Sequence, residues 1–162
     1  MSRLLRALAI AGLLAGCSGY RLGGPEPVFR DIELVPAVSE VARPGLLPAM
    51  DQALRAALAT ERRLQLRPGG ARLEVTVVGY ERVAATRSSD DALLAGRYRI
   101  TLTARATLRS ADGRRTAFAG RTFEANGALR AAGDLEGEES RLLPRLASEI
   151  AVQVRDASIG AW

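Results

Sequence analysis

The amino-acid sequence predicts an α/β two-layer sandwich: two helices packed on one face of a four-stranded, mostly antiparallel sheet, in the order β-α-β-β-β-α. Three observations predict it. Apolar residues recur at helical spacing in two separated stretches, from Leu46 to Leu58 and from Leu142 to Val154. Between them, Tyr98 to Leu108 alternates apolar and polar side chains over eleven residues, which is the pattern of a strand with one buried and one wet face. Finally, Ala111-Asp112-Gly113 separates that strand from another, which makes a hairpin.

Taken in order, the first strand is expected within Phe29 to Pro36, where Ile32 and Leu34 point one way and Asp31 and Glu33 the other. A helix follows, with Pro44 or Pro48 in its first turn and Leu46, Leu47, Met50, Leu54, Ala57 and Leu58 on its apolar stripe. Pro68-Gly69-Gly70 closes this unit with a turn. Leu73, Val75 and Val77 alternate with Glu74 and Thr76 in the second strand, Tyr98 to Leu108 forms the third, and Arg115 to Ala125 the fourth. The last helix carries Leu142, Leu143, Leu146, Ala147, Ile150, Ala151 and Val154, and Pro144 restricts where it can begin, because proline is tolerated only in a first turn. The first two strands, joined through a helix, are expected to pair in parallel or flank each other, and the last three to form an antiparallel meander.

The beginning of the chain has a different character. Arg3 and Arg6 precede an uncharged run, Ala7 to Gly16, that is about half the length needed to cross a hydrocarbon core. That run ends in Leu14-Ala15-Gly16-Cys17, which resembles the lipobox of bacterial lipoproteins. The expected organisation is a cleaved signal peptide over residues 1–16, a lipidated Cys17 with a flexible tether over 17–27, and a single α/β domain over 28–162. Cys17 is the only cysteine, so no intramolecular disulfide is available and acylation accounts for its presence. Ser18, rather than aspartate, follows it, which under Gram-negative sorting rules implies the outer membrane.

Composition narrows the chemistry. Removing residues 1–16 takes two arginines from the 23 basic residues, leaving 21 against 18 acidic ones, a mildly basic chain near +3. All the basic residues are arginine, a usage that GC-rich coding produces without selection for nucleic acid, and no nucleic-acid partner is expected. The chain has no histidine and no lysine, so His-assisted nucleophiles, a Ser/Lys pair and ordinary zinc sites are out of reach. Asp90-Asp91 and the acidic stretch from Glu136 to Glu139 lack calcium-loop spacing and read as solvated loop or helix start. No catalytic residue, metal or cofactor is expected.

Along nearly all of its mature length the chain resembles the LptE family, the lipoproteins of lipopolysaccharide assembly. Cys17-Ser18-Gly19-Tyr20-Arg21-Leu22 is similar to the family's opening of cysteine, glycine, an aromatic residue and leucine. The strand from Tyr98 to Leu108, followed by a turn and a Phe-containing strand, is similar to its central hairpin. The resemblance implies a non-enzymatic, lipid-anchored protein on the periplasmic face of the outer membrane. It implies one that partners and plugs an LptD-type β-barrel and binds lipopolysaccharide. In this family the loop after Val83 and the segment after Ala125 are the regions of lipopolysaccharide and barrel contact. Arg87 in the first and Arg130 in the second are therefore the leading candidates for phosphate, with Arg82 and Arg97 next, since each guanidinium offers a planar fork of donors. Leu93 and Leu94, within Ala92-Leu93-Leu94-Ala95, are candidates for barrel contact unless the segment simply continues the next strand. The loop expected from Arg82 to Gly96 is longer than the resemblance implies.

Two other lipoprotein roles share this size and anchor. An auxiliary lipoprotein of a phospholipid-transporting ABC system normally opens with a Pro/Tyr-rich segment, which this chain lacks. A structural lipoprotein of the cell wall uses a long linker, and ten residues here reach only about 35 Å fully extended. An enzyme would require an acidic pair in a cleft.

Overall fold

The computed structural model describes residues 26–87, 95–130 and 134–160. Among these residues eight elements follow one another: β1 (Asp31–Leu34), β2 (Val38–Ser39), α1 (Leu46–Ala59), β3 (Gln65–Leu66), β4 (Ala71–Arg87), β5 (Ala95–Arg109), β6 (Thr116–Arg130) and α2 (Leu135–Ser158). The architecture is the expected α/β arrangement with two helices, but the sheet is mixed and six-stranded rather than four-stranded and mostly antiparallel. Its path is β3-β1-β4-β5-β6, with β2 also paired to β4. The additional strands β2 and β3 are two residues each, too short to produce a periodic signal.

β1 runs parallel to β4 through Ile32↔Ala71 and Leu34↔Leu73, and β2 continues the same edge through Val38↔Thr76. The antiparallel meander β4-β5-β6 forms as expected. At the Ser110–Arg115 turn, the Ser110 and Gly113 amides donate to Arg115 and Ser110 carbonyls at 2.8 Å. Gly113 takes φ +71°, which suits a residue with no Cβ.

The long strands overrun their expected ends. β4 extends ten residues beyond Val77, so most of the segment from Arg82 to Gly96 is strand, and only residues 88–94 separate β4 from β5. Ala95 opens β5, whereas Ala92, Leu93 and Leu94 lie outside the described residues.

One core holds the layers together. Leu73, Val75, Ile100, Leu102, Leu108, Phe123 and Leu129 line one sheet face, and Leu54, Leu58, Leu146 and Ile150 reach it from the helices. α1 and α2 also pack on each other. Leu47, expected on the stripe of α1, is exposed, and Ala53 takes a buried place instead. α2 begins at Leu135, seven residues before its first expected stripe residue, so Pro144 stands inside the helix. Asp134 makes that start: its carboxylate accepts from the Gly137 amide at 2.9 Å, with Glu136 and Glu138 in the first turn favouring the helix dipole. α2 comes so close to β6 that a Cβ at Gly127 would stand 2.7 Å from the Leu142 side chain.

Candidate functional site

The site lies at the end of the sheet where β4 passes to β5. β2 runs parallel to β4, so the segment leading to α1 arrives there, and β6 finishes there immediately before α2 begins. Both helix N-termini therefore face the same end as the last residues of β4 and β6 and the first residues of β5.

A break in the strand alternation shapes this end. From Ala71 to Val77 the odd-numbered residues of β4 are buried, but the register shifts between Val77 and Gly79. Beyond it Tyr80 pairs with Leu102 and Arg82 with Ile100, so even-numbered residues now look toward the helices. Glu139, on the second turn of α2, meets them. Its Oε1 accepts from Arg82 Nη1 at 2.9 Å and its Oε2 from Arg43 Nη1 at 3.1 Å. The Glu139 side chain is 7 % exposed, against 36 % for Arg43 and 41 % for Arg82.

Each arginine also lies over a tyrosine: Arg43 over Tyr80 at 4.4 Å from the ring centre, and Arg82 over Tyr98 at 5.4 Å. A buried carboxylate has to be paired, and two charge-assisted bonds meet that requirement here. Burial raises the Tyr80 phenol above its ordinary range, and the negative Glu139 carboxylate raises it further. A cleft of about 220 Å³ opens beside the triad, lined by Arg43, Pro44, Tyr80, Glu139 and Leu143 among others. The triad fixes the approach to α1, the start of α2 and the far part of β4 to one another.

The expected arginines divide between the two faces of the sheet end and the last residue of β4. Arg82 is in a strand rather than a loop, on the helix side, and its guanidinium is held by Glu139. Arg87 is the last residue of β4, opposite Ala95, and Arg130 the last residue of β6. Neither sits in a loop as expected, because the strands continue to those positions. Arg97, in β5, stands directly opposite Arg130 in the ladder, and both are exposed on the sheet face away from the helices. Neither makes an ion pair among the described residues. Leu93, Leu94 and Cys17 lie outside the described residues.

Sequence reasoning missed Glu139, Arg43, Tyr80 and Tyr98 as a group. Glu139 carried a legible signal: it lies four residues after Leu135 and three and four before Leu142 and Leu143, on the apolar stripe itself. Among the described residues, no group of three or more Asp, Glu, Cys or His side chains could hold a metal ion, and no helix is long and apolar enough to cross a membrane.

Solved structures of similar fold include a minor lipoprotein from Acinetobacter baumannii, 16 % identical, with TM-score 0.57 over 82 % of this chain and 95 % of that one. An uncharacterized lipoprotein B from Nitrosomonas europaea is 14 % identical, with TM-score 0.58 over 86 % and 90 % of the two chains. A hypothetical protein from Chlamydia trachomatis is 9 % identical, with TM-score 0.59 over 81 % and 98 %. At these identities the likeness is one of fold. No curated protein sequence matches the chain. The sequence matches the family described as LptE, lipopolysaccharide-assembly, over residues 29–158, from just before β1 to the end of α2. With every element of the described fold inside that match, the chain belongs to the LptE lipopolysaccharide-assembly family.

Proposed function

We propose that this chain is a non-enzymatic outer-membrane lipoprotein, processed after residue 16 and anchored through a lipidated Cys17, that partners and plugs an LptD-type β-barrel and assists lipopolysaccharide assembly at the cell surface. The observation that carries this reading is the family match across the whole folded domain. The geometry at the end of the sheet is in keeping with it. Arg97 and Arg130 oppose each other across β5 and β6 with no acidic partner among the described residues, and like charges directly opposite in a ladder repel. A phosphate between the two forks relieves that repulsion and accepts hydrogen bonds from both. Arg87, at the end of β4, is the third proposed contact to lipopolysaccharide. Arg82 keeps Glu139 as its partner and acts by holding the site together. Leu93 and Leu94 are proposed contacts to the barrel wall.

Depletion of the chain in its own cells tests the proposal. Lipopolysaccharide is expected to stop reaching the surface, and the amount of mature barrel in the outer membrane to fall with it. Undiminished surface lipopolysaccharide after depletion contradicts the assembly role.

A further inference from the structure

The outer side of α2 and the open sheet face treat their charges differently. On the outer side of α2, Arg141 bonds to Glu138 at 3.0 Å and Arg145 lies 3.4 Å from Glu149, so each cation has an acid one turn away. On the uncovered face of β4, β5 and β6 the balance is broken. Exposed arginines there are Arg72, Arg97, Arg99, Arg105, Arg109 and Arg130, against Glu74, Glu81 and Glu124. The only ion pair among these nine, within the described residues, is Arg72 with Glu74 at 4.0 Å. Between the arginines the face carries hydroxyls, with Thr101, Thr103 and Thr107 along β5. No helix or loop of the described residues covers it.

We propose that the part of this open sheet face centred on Arg99 and Arg105, short of the Arg97–Arg130 rung proposed above for phosphate, is the surface through which the chain docks on its barrel, and that it fits a wall rich in carboxylates. The inference rests on the barrel-partner reading above. Spacing favours a protein wall over a lipid headgroup. Arg99 and Arg105 are six residues apart on one strand, about 20 Å, whereas one phosphate needs donors converging within hydrogen-bond reach. Cations spread over a flat face and separated by small hydroxyls match an extended acidic surface, and such complementarity steers encounter and fixes orientation.

The test uses the full lipidated chain, tagged and recovered from outer membranes. Wild type is compared with the double reversal R99E/R105E and with R141E on the helix layer, after circular dichroism shows that each folds. Should the double reversal fail to fold, R99Q/R105Q takes its place. The double variant is expected to recover the barrel at least about tenfold less well, with R141E unchanged, because only the first reverses charge on the docking face. Equal recovery by all three overturns the inference and leaves the barrel partnership standing. Retained barrel with lost lipopolysaccharide also overturns it, since the face then serves the lipid. Recovery of no barrel by wild type removes the functional reading itself, and this inference with it.

Discussion

Glu139 of α2 and Arg82 of β4, 57 residues apart in the chain, meet at 2.9 Å with the carboxylate 93 % removed from solvent. Arg43 takes the other carboxylate oxygen, so a single acid holds three segments at one end of the fold. Removing one member of a buried pair leaves its partners' charge uncompensated, and exposure of both arginines above a third moderates that cost. Glu139→Ala is expected to lower unfolding free energy by about 2 kcal/mol in urea titration, with Arg43→Ala and Arg82→Ala each costing about 1 kcal/mol. Additive losses in the E139A/R82A double variant contradict a coupled triad.

The sequence made the helices and the meander legible because both are long and periodic. Ile32, Leu54, Ile100 and Leu146 lie in the core where their spacing puts them. Tyr80 and Arg82 were illegible for a physical reason: strict alternation from Leu73 assigns them to the wet face, and the shift after Val77 turns them over. Pro144 misled in the opposite direction. Proline's ring and missing amide argue against a helix interior, yet Pro144 is exposed and α2 continues through it for four turns. For Arg87 and Arg130 only the loop placement was illegible, since β4 and β6 run on to those residues.

Close packing of α2 on β6 depends on Gly127. A Cβ there would lie 2.7 Å and 2.8 Å from the two Leu142 methyl carbons, well inside contact distance. Gly127→Ala is expected to destabilise the domain by about 1–3 kcal/mol through overpacking. Adding Leu142→Ala should recover part of that loss. A G127A protein as stable as wild type would show that α2 moves freely against the sheet.

Acid sensitivity has a local source next to α1. Hydrogen bonds from the Arg63 side chain and amide lower the Glu61 carboxyl from 4.5 to about 2. A folded-state value below the unfolded one means the contribution is fully present above about pH 4.5 and is lost as pH falls toward 2. Glu61→Gln should therefore lower stability at neutral pH and flatten its fall between pH 4.5 and 2. Parallel curves for the two proteins, measured by urea unfolding across that window, contradict the assignment.

Repulsion between Arg97 and Arg130 gives another handle. Replacing Arg97 with threonine removes a like-charge pair from the ladder and is expected to stabilise the chain by about 0.2–1 kcal/mol at low ionic strength, with the gain shrinking as salt rises. Inorganic phosphate should raise the melting temperature of wild type more than that of R97T. Equal responses of the two to phosphate remove the case for an anion at this rung.

The central claim is that the chain works as one half of a barrel complex. It is tested most directly by purifying the tagged, lipidated protein from outer membranes and measuring what accompanies it. One LptD-type barrel per chain is the expected result, lost to the soluble fraction with Cys17→Ser. Recovery of the chain without any barrel, or with an inner-membrane transporter in its place, would contradict the account.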